Sequence, residues 1–263
     1  MSSMDDRGRG RYVAGKRAVL EAIQADVPIE KIYVAHGSDD PAMHKIRAAA
    51  DRKGVMCSTM DRRKFGALEK ELGLQLNDAQ GIIAMRPPRD PMSLEELITF
   101  AKEQNATPLL VAMDGVTDPH NLGAIARSAE AAGALGLIVP EQHSAPVTPV
   151  AVKASAGALE ILPMAKVKRM STTIKDLRKA GFNVIGSATP GQAPYTEVDY
   201  TGPTVIVIGS EGEGLHPRVL EECTHVVSIP MMGQIGSLNA SVAAGVLLFE
   251  VVRQRANSST RIL

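Results

Sequence analysis

Apolar positions along the chain switch repeatedly between a helical and a strand-like period, and that alternation predicts the architecture. Residues 15–25 (GKRAVLEAIQA) put Val19, Leu20 and Ile23 on one face, the spacing of an amphipathic helix. The run at 29–35 then reads as a strand, 41–54 as a helix ending at Gly54, and 55–60 as a second strand. Asp61 can cap a helix that stops at Gly73, and QGIIAMR at 80–86 closes the unit as a strand. Between Arg86 and Ser93 lie three prolines and three charges, the composition of a linker.

Beyond the linker, Ser93 and Glu96 are spaced as a capping box for a helix over 93–105. The uninterrupted apolar run at 107–114 fits a buried parallel strand. Further strands are expected at 135–139, 160–166, 182–187, 204–208 and 225–229, with helices at 121–133, 148–156, 170–180, 215–222 and 238–254. The fold class that follows is α/β, a C-terminal mostly parallel sheet with helices on both faces, preceded by a small three-layer α/β domain. The expected division is an arm at 1–11, a small domain at 12–86, a linker at 87–93, a large domain at 94–257 and a tail at 258–263.

Composition narrows the function classes. With 263 residues, 44% hydrophobic and 22% charged, the chain is too apolar for disorder. No apolar run reaches the roughly 20 residues of a membrane span, and the opening MSSMDDRGRG has no hydrophobic signal core. Cys57 and Cys223 are the two cysteines, enough for neither a disulfide framework nor a zinc cluster. A soluble cytoplasmic protein with no membrane partner is expected. The zero net charge hides an asymmetry: residues 1–92 hold 16 Lys/Arg against 13 Asp/Glu, and residues 93–263 hold 13 against 16. Arg7, Arg9, Arg11, Lys16 and Arg17 follow one another with no acidic residue between them, which fits either a polyanion-binding arm or a solvated tail. Four Tyr, four Phe and no Trp argue against recognition by stacked bases, so any bound RNA would be held by shape and phosphate contacts.

In a parallel sheet, ligands bind at the carboxyl ends of strands, and three loops there are unusual. The first, Asp114 to Ala134 (DGVTDPHNLGAIARSAEAAGA), turns through Gly115 and starts a helix near Asn121. Pro119 and Gly123 would let backbone approach a ligand, and Asp118 and Asn121 compete as caps. Arg127, in an otherwise small and apolar helix, is either paired with an acid or placed for an anion. The second, Val205 to Leu215 (VIVIGSEGEGL), interleaves three glycines with Glu211 and Glu213. Its GxxGxG spacing differs from the dinucleotide fingerprint, and it lacks a P-loop lysine. Two carboxylates would repel a pyrophosphate and tolerate a cation; one of them could pair Arg127, or both could be solvated. In the third, Val226 to Arg255, a strand ends at Ile229-Pro230 and a long apolar helix begins at Ser237, with Ser237 or Asn239 as its cap. No GxSxG elbow, HExxH zinc motif or EF-hand loop is present, and no metal is expected.

Together, NLGAIARSAEAAG, IGSEGEGL and IPMMGQIGSLNASVAAGVLLFE, in this order and spacing, resemble the three motifs of the SpoU-type, TrmH-like ribose 2′-O-methyltransferases of the SPOUT superfamily. The resemblance covers about residues 107–255. YVAGKRAVLEAI and QGIIAMRPP look like the small RNA-binding domain of the family's 23S rRNA guanosine 2′-O-methyltransferases, although Ala79 stands where a His is expected before the Gln-Gly pair. The resemblance implies a deep trefoil knot, S-adenosylmethionine as methyl donor and a homodimer packed through the C-terminal domain. It assigns Gly209, Ile229 and Leu238, with Met231 and Gly212, to the donor pocket. Asn121, Arg127, Glu211, Ser237 and Asn239 fall on catalytic positions. The expected reaction is methyl transfer to a ribose 2′-hydroxyl of 23S rRNA or its precursor particle, at a guanosine, and DNA is not an expected partner. The alternatives are the same transfer to tRNA and a non-catalytic RNA-binding role in ribosome assembly.

Overall fold

A computed structural model describes residues 12–260 apart from positions 73, 75, 76, 88, 89, 190 and 235. The expected basic arm at 1–11, the helix stop at 73 and the last residues of the tail lie outside the described residues. The chain divides into two compact units, residues 1–89 and 90–263.

The first unit runs β1 (Tyr12–Ala14), α1 (Lys16–Gln24), β2 (Lys31–Ala35), α2 (Pro41–Arg52), β3 (Met56–Met60), α3 (Arg62–Glu71) and β4 (Ile82–Met85). Its sheet has the order β1-β4-β2-β3, with β4 antiparallel to both neighbours and β2 parallel to β3. Alternation along the strands splits the core. Ile32, Val34, Ile82 and Ala84 pack with Val19, Met43 and Ile46 of α1 and α2. Ala35 and Ile83 pack with Phe65 of α3 on the other side. Asp40 and Asp61 cap α2 and α3. Ala79 is fully buried in the α3 cluster. Strand β1 was not expected, because three residues are too few to show a period.

The second unit runs α4 (Leu94–Gln104), β5 (Leu109–Met113), α5 (Pro119–Ala131), β6 (Gly136–Pro140), α6 (Pro149–Ala154), α7 (Ala158–Ile161), β7 (Met164–Val167), α8 (Met170–Lys179), β8 (Asn183–Ser187), β9 (Ala193–Pro194), β10 (Thr204–Ile208), α9 (Pro217–Leu220), β11 (His225–Ser228) and α10 (Ala240–Thr260). Seven strands form one parallel sheet in the order β7-β6-β5-β10-β8-β11-β9. Both faces are covered, so β5, β6 and β10 are buried throughout, as their continuous apolar sequences demand. Alternate strand positions feed two cores: Val111 and Ile206 pack with α5 and α10, whereas Leu110 and Val205 pack with α4, α8 and α9.

Several boundaries differ from the sequence expectation. Residues 158–161 form a helical turn, and the strand expected at 160–166 is Met164–Val167. The helix expected at 215–222 is the single turn α9. The linker end is docked: Met92 bridges Ala165 at the sheet edge, its N–H donating to Met164 O at 2.9 Å. Gly123 serves helix packing rather than ligand approach. A Cβ there would lie 2.4 Å from Ala151 O of α6 and 2.6 Å from the Ala154 Cβ, so α5 and α6 touch backbone to backbone.

Candidate active site

Local capping chemistry decides which side chains are free to act. At the start of α5, Asp118 takes the cap, its Oδ1 accepting from the His120 N–H at 2.9 Å. Pro119 begins the helix, where its missing N–H costs nothing. Asn121 is therefore released from capping. It is buried, and its Nδ2 donates to Glu211 Oε1 at 3.0 Å. At the other end, α10 starts at Ala240 rather than at Ser237, and Asn239 is its cap: Oδ1 accepts from Ser241 N at 2.9 Å, Ser241 Oγ at 2.5 Å and Val242 N at 3.4 Å. The Asn239 amide nitrogen remains available. It donates to Asn121 Oδ1 at 3.0 Å and also to Glu211 Oε1.

Asn121, Glu211 and Asn239 thus form a closed polar triad linking all three loops that the sequence singles out. An ionised carboxylate only accepts, so Glu211 fixes both amides with their nitrogens toward it. Neither Glu pairs with Arg127. Arg127 is exposed, about 240° round the helix from Asn121 at 100° per residue, and among the described residues it makes no ion pair or side-chain hydrogen bond. The structure brings the triad together and leaves Arg127 apart. His120, at the same helix start, is exposed.

The glycine-rich loop after β10 folds back on itself. Ser210 N donates to Gly214 O at 3.0 Å, and Gly214 N donates to Ser210 O at 3.1 Å. A Cβ on Gly209 would stand 2.1 Å from Gly214 C and 2.4 Å from Leu215 N, so glycine is required for this closure. Beside the loop lies a cavity of about 470 Å³, within the range of small-ligand pockets. Gly209, Glu211, Gly212, Ile229, Met231, Ser237 and Leu238 all line it. The sequence reading missed Ser187, Ala188 and Thr189 at the end of β8, which close its far wall. Their one available sign was position, directly after a strand of the parallel sheet. Asn121, Asn239 and Arg127 are not among the lining residues; the triad touches the cavity through Glu211. A wall made largely of glycine backbone and apolar side chains, with the carboxylates of Glu211 and Glu213 in it, suits a flat, partly apolar ligand carrying positive charge. Among the described residues, no group of three or more His, Cys, Asp or Glu could hold a metal ion.

Comparison with known proteins agrees with this arrangement. Residues 108–249 match the SpoU rRNA Methylase family, and residues 12–92 match the RNA 2′-O ribose methyltransferase substrate-binding family. The chain is 43% identical over 249 residues to an uncharacterized tRNA/rRNA methyltransferase of Mycobacterium sp. (strain KMS), covering 92% of this chain and 76% of that one. It is 38% identical over 227 residues to the 23S rRNA (guanosine-2′-O-)-methyltransferase RlmB of Pseudomonas syringae pv. tomato, covering 86% and 88%. The crystal structure of an AdoMet-bound rRNA methyltransferase from Sinorhizobium meliloti superposes with a TM-score of 0.65 at 26% identity, over 92% of this chain and 87% of that one. The chain belongs to the SpoU rRNA methylase family.

Proposed function

We propose that this protein transfers a methyl group from S-adenosylmethionine to the ribose 2′-hydroxyl of a guanosine in 23S rRNA. The observation that carries the reading is the Asn121–Glu211–Asn239 triad at the wall of the donor-sized cavity. Similarity to the Pseudomonas enzyme over 86% of the chain supports the choice of 23S guanosine. When bound, S-adenosylmethionine supplies an electrophilic methyl group on a positively charged sulfur. Gly209, Gly212, Ile229, Met231 and Leu238 would hold the donor, and the Glu211 carboxylate in the same wall would favour its positive charge.

Asn121 and Asn239, locked by Glu211, orient the ribose together with Ser237. A ribose hydroxyl is a weak acid, so negative charge grows on its oxygen as the new bond forms. A guanidinium is a poor base, which gives Arg127 the role of a fixed cation. It binds an RNA phosphate, stabilises the developing alkoxide, and lets that phosphate accept the hydroxyl proton. Alignment of the reacting oxygen supplies much of the rate.

Residues 12–86 hold the RNA; Arg62, Arg63 and Lys64, exposed at the start of α3, support this division, with 94–257 as the catalytic domain and 87–93 as linker. The knotted threading known for the family belongs to the same proposal. So does a homodimer through the C-terminal unit, supported by exposed Val242, Phe249 and Val252 on α10. No helix among the described residues is long and apolar enough to cross a membrane, and an rRNA or precursor-particle substrate calls for a cytoplasmic enzyme.

The test is transfer of labelled methyl from S-adenosylmethionine to total RNA lacking the modification, followed by mapping of methylated riboses. Label in one 23S guanosine is expected. Label confined to tRNA, or no label in RNA or precursor particles, would overturn the reading.

A further inference from the structure

A second crevice, of about 780 Å³, opens on the other side of the glycine-rich loop. Its position follows from the strand order. The chain builds β5, β6 and β7 outward in one direction, then crosses through α8 to β8 on the far side of β10. The connections therefore diverge where β5 meets β10, and the carboxyl ends of strands at such a point leave a crevice. Asp114 and Gly115 after β5 and Ser210 after β10 form its floor. The loop is a shared wall: Ser210, Glu213, Gly214 and Leu215 line both this crevice and the donor cavity.

The charge of the crevice is not explained by folding. Lys168 and Arg169 follow β7, and Arg218 lies in α9; all three are exposed and line the opening. Among the described residues, none of their side chains makes an ion pair or a hydrogen bond. Of the two carboxylates present, Asp114 is already engaged, its Oδ2 accepting from His216 N at 3.0 Å. Glu213 opposes the cations from the shared wall. Arg169 is also the N-cap of the ten-residue helix α8 and gives it no side-chain acceptor, so Ser171 and Thr172 bring the open first turn to the crevice. Three exposed cations lining one opening and an open helix start favour an anion.

We propose that this crevice binds the phosphodiester backbone of the substrate RNA next to the nucleotide being methylated, with Lys168, Arg169 and Arg218 as the phosphate contacts. The inference rests on the function proposed above: a strand whose ribose enters at the triad must continue past the loop, and the crevice is the cationic path there. The contacts position the strand and carry no base specificity.

The experiment compares the full-length protein with the Lys168→Ala/Arg169→Ala/Arg218→Ala variant on 23S rRNA transcript. RNA affinity is measured between 50 and 200 mM salt, with donor affinity by calorimetry and the KM–kcat split alongside. Loss of three contacts should flatten the salt slope by about 2, at about 0.7 per phosphate of single-stranded RNA. The affinity gap between the proteins should then shrink roughly 16-fold across that salt range. KM for RNA should rise with donor affinity unchanged, and Lys168→Arg alone should keep the wild-type slope. Equal slopes and equal KM, with wild type active on rRNA, would overturn the crevice assignment and leave the function intact. Weakened donor binding in the variant would also overturn it, by showing a structural role. A wild type that methylates no RNA would overturn the proposed function first and this inference with it.

Discussion

Gly209→Ala offers a quantitative test of how the donor cavity is built. The added methyl would lie 2.1, 2.3 and 2.4 Å from Gly214 C, Gly214 O and Leu215 N. All three are backbone atoms, so no side chain can swing away and the turn itself must open. Opening breaks the reciprocal Ser210–Gly214 hydrogen bonds of 3.0 and 3.1 Å, a loss of about 1 kcal/mol each. Residual overpacking adds about 1–3 kcal/mol. The loop is thus disfavoured by roughly 3–5 kcal/mol, and a ligand that needs it ordered should bind at least 100-fold more weakly at about 1.4 kcal/mol per decade. Gly202→Ala is the control, since a Cβ there meets nothing within 4 Å, the backbone is not in the left-handed region, and the residue does not line the cavity. Calorimetric titration with S-adenosylmethionine should show the large loss for Gly209→Ala and near wild-type affinity for Gly202→Ala. Affinity within threefold of wild type in Gly209→Ala, or equal damage from both variants, would refute the reasoning.

Other consequences are testable separately. Arg127→Ala should abolish methyl transfer while leaving donor affinity and thermal stability unchanged, because the side chain is exposed and has no partner among the described residues; retained turnover would remove its assigned role. Phe249→Asp should lower the dimer fraction seen by light scattering and lower activity in step, and an active monomer would contradict a site that depends on assembly. Burial pushes the Cys223 thiol up from 9.0 to about 12. The folded chain therefore keeps a proton that the unfolded chain releases above about pH 9. The stability tied to this group is present below that pH and is lost as pH rises toward about 12. Denaturant titrations should show this alkaline slope reduced in Cys223→Ala, and an unchanged slope would show that burial of the thiol is not its source.

Much of the fold is legible because its elements are long enough to show their period. Strands β5, β6 and β10 are continuous apolar runs, and α1 and α4 carry clear faces and a capping box. What escapes is either short or non-local. Strand β1 has three residues and β9 two, too few for any pattern. The start of α5 was ambiguous because Asp118 and Asn121 are comparable caps in isolation; Glu211, 90 residues away, tips the balance by accepting from Asn121. Gly123 resembled a ligand-facing glycine, yet its neighbour is the backbone of α6. Spacing along the chain says nothing of such contacts.

The same distinction explains why the donor cavity was partly visible in sequence and the basic crevice was not. The cavity draws mainly on two contiguous loops, 208–215 with glycine interleaved with glutamate and 229–240 with its own glycines, so Gly209, Glu211, Gly212, Ile229, Met231, Ser237 and Leu238 are legible in the sequence, whereas the 187–189 segment is not. The crevice is assembled from the ends of β5, β6, β7 and β10 and the starts of α8 and α9, and each contribution is ordinary by itself. Lys168-Arg169 after a strand reads as surface, and Arg218 in a single helical turn reads as solvated. They become a site only through the strand order, which sets β10 beside β5 and brings the 209–214 loop between the two spaces. That loop meets three requirements within six residues. Gly209 permits closure, Glu211 locks the two amides, and Glu213 lines both spaces. Interleaving glycine with glutamate is therefore a packing solution, in which bare backbone closes the turn while the carboxylates are left to its two sides.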